Sequence, residues 1–450
     1  MTPPTETNVI KRDGAKTPLD LDKIHKMVEL ACEGLAGVSE SAVEMNSSLQ
    51  IFDGIKTSDI QEILIRSAND LISLDAPNYQ YVAARLLLFS LRKQVYGEHP
   101  DRRPNLYQHV KKCIDQGVYD AGILSKYTEE EFNVLDGYLD HDRDYLFTYA
   151  GMRQVSDKYL VQCRSTGEVY ETPQFMYIMV AATLFQDDDK FYRLEYVKKY
   201  YDAISKHKLN IPTPIMAGVR TPIRQFASCV LVDVDDTLDS IFSSDMAIGK
   251  YVAQRAGIGI NAGRIRGINS KIRSGEVQHT GVVPFLKKFE ATVRCCTQNG
   301  IRGGSATVHF PIWHQEIEDI IVLKNNKGTE DNRVRKLDYS IQLSKLFYER
   351  FIQNAEISLF SPHDVPGLYD AFGTDAFDAC YVDYESDQSI PRKTIGAQKL
   401  FMDILKERAE TGRIYLMNID HCNSHSSFKD KVNMSNLCQE ITLPCLLYTS

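Results

Sequence analysis

Gln225-Phe226-Ala227-Ser228-Cys229-Val230-Leu231-Val232 marks the point where the sequence changes character. From about residue 221 onward, short apolar runs alternate with helical patterns. Candidate strands are Cys229–Val234, Thr307–Ile312, Tyr339–Leu343, Ile357–Phe360 and Ile414–Met417, with helices such as Lys345–Gln353 and Ala397–Arg408 between them. This alternation predicts an α/β unit, a parallel sheet or barrel with helices outside. Ser228 and Cys229 then fall at the start of a barrel strand. On these residues alone, a core cysteine in an apolar strand is a stronger reading than a reactive thiol.

Upstream, residues 105 to 220 read mainly as helical. A hairpin is predicted from Tyr159-Leu160-Val161-Gln162 and Val169-Tyr170 around Ser165-Thr166-Gly167, and a buried helix over Gln174 to Phe185. The first hundred residues read as a separate module. Val9-Ile10-Lys11-Arg12-Asp13-Gly14 is a strand entering an Asp-Gly turn. A helix follows with Ile24, Met27, Val28, Ala31 and Leu35 at the 3.6-residue period. A second opens at the capping-box pattern Ser58-Asp59-Ile60-Gln61, and a third runs from Tyr79 to Val95 before Gly97. Gly97 to Pro104 is a charged, Pro-containing linker.

The 450 residues are 43% hydrophobic and 25% charged, ordinary for a globular chain and too apolar for disorder. The net charge of −8, from 52 basic and 60 acidic residues, argues against a nucleic-acid or anionic-membrane binder. No uncharged run reaches the ~20 residues of a membrane span, and the start lacks a secretory pattern. The ten cysteines show no C-x-x-C pair, which predicts reduced thiols in a cytoplasmic protein.

Several clusters carry potential chemistry. In Ser435-Asn436-Leu437-Cys438-Gln439-Glu440 a thiol lies between an amide and a carboxylate, each two residues away. In an extended loop, alternate residues point the same way, so Asn436, Cys438 and Glu440 would converge on one ligand. From the spacing alone, a buried cysteine in a polar loop is the stronger reading. Gly257-Ile258-Gly259-Ile260-Asn261-Ala262-Gly263 and Asn299-Gly300-Ile301-Arg302-Gly303-Gly304 read as phosphate-approaching loops or as tight turns. Neither matches the P-loop or the dinucleotide fingerprint. Asp420-His421-Cys422-Asn423-Ser424-His425 invites a zinc reading, but no fourth ligand is evident, and a hydrogen-bonded loop is expected instead. Lys11, Arg12, Lys56, Thr57 and Lys93 form a basic set that a nucleoside triphosphate or plain solvation explains.

The order of these features resembles the large (α) subunit of class I ribonucleotide reductases of the aerobic bacterial and phage type, from about residue 6 to Pro444. The resemblance is carried by Phe52-Asp53-Gly54-Ile55-Lys56-Thr57-Ser58-Asp59-Ile60, by Gln254 through Arg266, by Phe360 through Phe372 and by Ser435 through Glu440. It implies an ATP-cone over residues 1–95, a helical domain over 96–220, and the first half of a ten-stranded α/β barrel with its finger loop over 221–444. Residues 445–450 match nothing in the family, and Cys445 does not match a reducing cysteine.

The implied chemistry is thiyl-radical reduction of ribonucleoside diphosphates to deoxyribonucleoside diphosphates. Cys438 would take the 3′ hydrogen, Glu440 would accept the 3′-hydroxyl proton and Asn436 would hold the ribose. Cys229 would be one of two reducing thiols. Thr213 and Ser228 match substrate contacts. Asp236, Thr237, Leu238, Arg266 and Arg273 match the allosteric specificity site at a homodimer contact, and Gln298 and Arg302 match the loop linking it to substrate. Lys11, Thr17, Thr57 and Lys93 match nucleotide contacts of the cone. Thr17, Gln61 and Ser90 stand where many members have Glu, His and His, which puts inhibition by dATP in doubt. No metal or cofactor is expected on the chain itself. ATP and deoxynucleoside triphosphates would be effectors, and the metal centre of a small subunit would supply the radical. A thioredoxin- or glutaredoxin-like protein would be the reductant. Because family members extend further, the expectation is a split large subunit completed by a second polypeptide. The competing expectation is an inactive nucleotide-binding remnant.

Overall fold

The computed structural model describes the chain apart from residues 1–6, 12, 49, 98–102, 164, 297–302, 445–447 and 450. It divides into two compact units, Met1–Phe226 and Ala227–Ser450.

The first unit begins with a small sheet. Strand β1 (Asn8–Ile10) pairs antiparallel with β2 (Lys16–Pro18) and parallel with β3 (Ile55–Lys56). Gly14 closes the β1–β2 turn at φ +85°, a conformation that favours glycine. The helix Thr57–Asp70 forms without the predicted capping box. Lys56 is its N-cap and provides no side-chain bond, Ser58 turns to Asp59, and Gln61 donates to the Leu86 carbonyl at 2.8 Å. A bond to the neighbouring helix Tyr79–Tyr96 thus takes the side chain that the local motif would use. Further on, the predicted hairpin is a single antiparallel bridge, Gln162 to Val169. The helix Pro173–Leu184 buries Pro173 through Ala182 on every face, so it has no polar stripe. The Arg220–Glu171 ion pair is wholly buried, and Glu171 also accepts from Tyr119 and from the Val161 N–H. These extra donors satisfy charges that would be costly to bury alone.

The second unit contains β4 (Cys229–Asp233), β5 (Gly257–Asn261), a small hairpin β6 (Lys271–Ile272) and β7 (Val277–Gln278), β8 (Ala306–Pro311), β9 (Asp338–Leu343), β10 (Glu356–Leu359), β11 (Lys393–Gly396), β12 (Ile414–Asn418), a second hairpin β13 (Val432–Ser435) and β14 (Thr442–Pro444), and β15 (Tyr448–Thr449). Strands β4, β5, β8, β9 and β12 are parallel neighbours in that order, and β15 pairs antiparallel with β4. With the strands laid down in sequential order, crossovers of the usual hand put the connecting helices on one face. Val230, Ile258, Val308 and Ile341 accordingly join one buried cluster with helix residues Ile248, Phe289 and Ile404. The alternate residues Cys229, Gly259, Thr307, His309 and Gln342 fall on the other face. Five sequential parallel strands with helices packed on one face are a half-barrel.

Three sequence expectations are corrected here. The glycine-rich run 257–261 is not a turn or phosphate cradle but a central strand, buried at every position. The predicted strand Ile357–Phe360 lies outside the parallel sheet, because β10 pairs antiparallel with β11 and β12 takes the place beside β9. Residues 420–425 are not a loop. Ile419–Ser424 is a short helix, and no cluster of three or more His, Cys, Asp or Glu able to hold a metal occurs among the described residues.

Candidate active site

The hairpin β13–β14 lies against β5 and presents Cys438 at its tip. Its base is clamped from two sides. Lys431 Nζ donates to the carbonyls of Tyr369, Asp370 and Phe372, each at 3.0 Å, at the end of the short helix Leu368–Ala371. A cation suits that end of a helix, where carbonyls lack partners. Burial, with Arg264 nearby, pushes the Lys431 ammonium down to about 8. Asn423 accepts from the Val432 N–H at 2.8 Å and donates to the Val432 carbonyl at 3.0 Å.

The sheet face then holds the hairpin by its backbone. Gln342 Nε2 donates to the Asn433 carbonyl at 2.5 Å, and Thr307 Oγ1 donates to the Leu437 carbonyl at 2.5 Å. Both acceptors would be starved of water under the loop, so these bonds matter more than surface ones. Close approach depends on glycine. A Cβ at Gly259 would lie 2.2 Å from the Ser435 carbonyl oxygen, and one at Gly257 would lie 2.7 Å from Leu437 Cδ2. Glycine inside a strand commonly marks such an approach of another segment.

The tip is a turn. Gln439 N–H bonds the Asn436 carbonyl at 3.2 Å, and Gln439 sits at φ +63°. Asn436 Oδ1 accepts from the Ile441 N–H at 3.1 Å, and Ser435 Oγ donates to the Ile441 carbonyl at 2.6 Å. Asn436 is wholly buried, and its Nδ2 donates to Cys229 Sγ at 3.3 Å. Cys438 and Glu440 are exposed. The expectation of an extended loop is therefore corrected. Strand alternation does not survive a turn, so Asn436 reaches Cys229 while Cys438 and Glu440 are exposed. Of the catalytic residues named from sequence, the structure brings Asn436 and Cys229 into contact.

Ser228 is half-buried, and its carbonyl accepts from the Gly257 N–H at 2.9 Å. Thr213 belongs to the first unit, at the start of the helix Thr213–Gly218, with Oγ1 3.5 Å from Tyr159 Oη. At the start of the helix Leu238–Ala253, Thr237 Oγ1 accepts from the Ser240 N–H at 3.1 Å. Asp236 accepts from the Arg266 backbone N–H at 3.0 Å and from Arg266 Nε at 2.8 Å. Leu238 and Arg273 are exposed, Arg273 at φ +49° between β6 and β7. Gln298 and Arg302 lie outside the described residues. In the cone, Lys11 and Thr57 follow the paired residues Ile10 and Lys56 and so share one end of the small sheet. Thr17 pairs with Val9 on the other side of β1, and Lys93 is exposed on the helix Tyr79–Tyr96.

The sequence reading passed over Thr307, Gln342, Lys431 and His309. His309 is wholly buried in register with Asn261 and Ser340. Burial pushes its imidazole down to about 4. The Ser435 backbone lies near enough to oppose that shift, yet neither ring nitrogen is in hydrogen-bond geometry with a partner among the described residues. The available signal was the alternation Gly257-x-Gly259-x-Asn261, small or polar residues every second position of an apolar strand.

A half-barrel whose inner face carries a buried cysteine and a cysteine-tipped loop defines a class of thiol-bearing α/β barrel proteins. Comparison with known proteins narrows it. The family description "Ribonucleotide reductase, barrel domain" matches residues 227–446, "Ribonucleotide reductase, all-alpha domain" matches 145–224, and "ATP cone domain" matches 7–94. Over 441 residues the chain is 55% identical to a ribonucleoside-diphosphate reductase subunit alpha of Haemophilus influenzae and 55% identical to ribonucleoside-diphosphate reductase 1 subunit alpha of Escherichia coli. It is 46% identical over 443 residues to the subunit alpha of Enterobacteria phage T4. Each match covers 97% of this chain and 58% of the relative. The chain belongs to the ribonucleotide reductase family, among the relatives of its alpha subunits.

Proposed function

We propose that this chain contributes the finger loop, one reducing thiol and the allosteric sites of a ribonucleoside-diphosphate reductase. The observation that carries the reading is the 3.3 Å bond from Asn436 Nδ2 to Cys229 Sγ, which ties the Cys438 loop to the second thiol. In this reading Cys438, as a thiyl radical supplied through a small metal-bearing subunit, takes the 3′ hydrogen of the substrate ribose. Glu440 accepts the 3′-hydroxyl proton, and the 2′ hydroxyl leaves as water. Cys229 and a second thiol from the rest of the barrel are oxidised to a disulfide, which a thioredoxin- or glutaredoxin-like protein reopens. Asn436, Thr213 and Ser228 position the substrate. The rest of the barrel closes the site and excludes water.

The regulatory part of the proposal keeps the division into a cone over 1–95, a helical domain over 96–220 and a barrel half over 221–444. A nucleoside triphosphate would bind Lys11, Thr17, Thr57 and Lys93 in the cone. A second would bind Asp236, Thr237, Leu238, Arg266 and Arg273, with Gln298 and Arg302 relaying its identity. The test uses the complete protein with its small subunit and a dithiol reductant. Cys229→Ser is expected to stop deoxyribonucleotide formation while cleavage of a 3′ carbon–tritium bond continues. Normal product formation by Cys229→Ser, or loss of the 3′ cleavage as well, would remove the role given to this thiol.

A further inference from the structure

Cys295 and Cys296 are adjacent, and the proposed reduction uses neither. They end the helix Val283–Cys295, with their sulfurs 3.8 Å apart. Cys295 is exposed, and its Sγ lies 3.5 Å from the Thr292 carbonyl. Cys296 is half-buried and points at the helix Leu238–Ala253. A Cβ placed on Gly249 of that helix would lie 3.2 Å from Cys296 Sγ and 3.2 Å from Thr292 Cγ2. The two helices therefore meet closely at this sulfur, next to the tie formed by Thr292 Oγ1 with Asp245 Oδ1 at 2.6 Å.

From this juxtaposition of one accessible and one packed thiol in van der Waals contact, we propose that Cys295 and Cys296 form a reversible redox pair that closes to a vicinal disulfide. The oxidant is a small-molecule disulfide of the glutathione class. The Cys295 thiolate attacks one sulfur of the oxidant and releases a thiolate, leaving a mixed disulfide. Cys296, after losing its proton, attacks the Cys295 sulfur and expels the second thiolate. Two protein thiols are oxidised, one disulfide is reduced to two thiols, and the two protons end on those thiols. Burial and the neighbouring Cys295 raise the Cys296 thiol above its ordinary range, so Cys295 is the first attacker.

Adjacent Cα atoms sit about 3.8 Å apart, shorter than the usual disulfide span. The closed form is thus strained, and strained, exposed disulfides are the readily reduced, regulatory kind. Closure draws Cys296 Sγ off Gly249 and loosens the contact between the two helices. One of these helices starts at Thr237, so an effect on nucleotide selection rests on the specificity site proposed above. The thiol chemistry does not rest on that site.

The sequence makes the test direct. Trypsin cuts after Arg294 and Arg302, and the peptide from Cys295 to Arg302 holds both cysteines and no others. The full chain is reduced, freed of reductant, exposed to oxidised glutathione, alkylated and digested without reduction. The expected peptide is lighter by two hydrogens, carries no alkyl group and reverts with dithiothreitol. Cys295→Ser should leave Cys296 alkylated, and hydrogen exchange in the oxidised chain should rise within 238–253 and 283–295 while the cone is unchanged. A doubly alkylated or doubly glutathionylated peptide would overturn the pairing. Unchanged exchange with the disulfide present would overturn its structural effect.

Discussion

At the residue scale, the site depends on atoms that are missing. Gly259 contributes only a hydrogen toward the Ser435 carbonyl, and the 2.2 Å that a Cβ would leave cannot be relieved by a side-chain rotation. Gly259→Ala should therefore displace the hairpin and cost about 3 kcal/mol, the upper end for overpacking. Urea unfolding of the full chain measures it, and an unchanged midpoint would refute the close approach. His309 gives a pH signature. Its imidazole is depressed from 6.5 to about 4 by burial, so the unfolded chain takes up a proton that the fold refuses. Stability is full above pH ~6.5 and falls as pH drops toward ~4. His309→Phe should remove that loss, gaining about 2 kcal/mol more at pH 5 than at pH 8. Paired unfolding curves at the two pH values test this, and parallel shifts at both would contradict it.

At the element scale, the hairpin is held by the sheet through two side chains reaching its backbone. Thr307→Val keeps the shape but leaves the Leu437 carbonyl buried without a donor, at a cost of about 1–3 kcal/mol. Amide exchange through Leu437 to Ile441 should rise in this variant, and unchanged protection would show that the bond does not secure the loop. The same elements show what sequence reading captures. The apolar run Cys229–Asp233 was legible because a strand buried on both faces reads as continuous hydrophobic sequence. Gly257–Asn261 was not, because its glycines serve a contact with residues 435–437, far away in the chain, and local propensity favours a turn. The capping box at Ser58 failed for a related reason, since Gln61 is claimed by the Leu86 carbonyl of another helix. At the candidate site, residue identities were legible through family resemblance, but the fold of the loop was not. One residue at φ +63° turns an alternating pattern into a buried Asn436 and an exposed Cys438.

At the scale of the whole molecule, the half-barrel is a platform with one finished face. Its helix side is closed by a continuous apolar cluster. The other side carries the hairpin, Cys229 and buried polar groups such as His309 and Ser340. The chain spans 58% of the length of the alpha-subunit relatives it matches. Whether Cys438 carries the chemistry is decided by ribonucleoside diphosphate reduction by the complete protein and its small subunit, comparing the wild type with Cys438→Ser. The wild-type protein should form deoxyribonucleoside diphosphate, and Cys438→Ser should form none while still binding ATP. Product formation by Cys438→Ser at the wild-type rate would contradict the role given to Cys438.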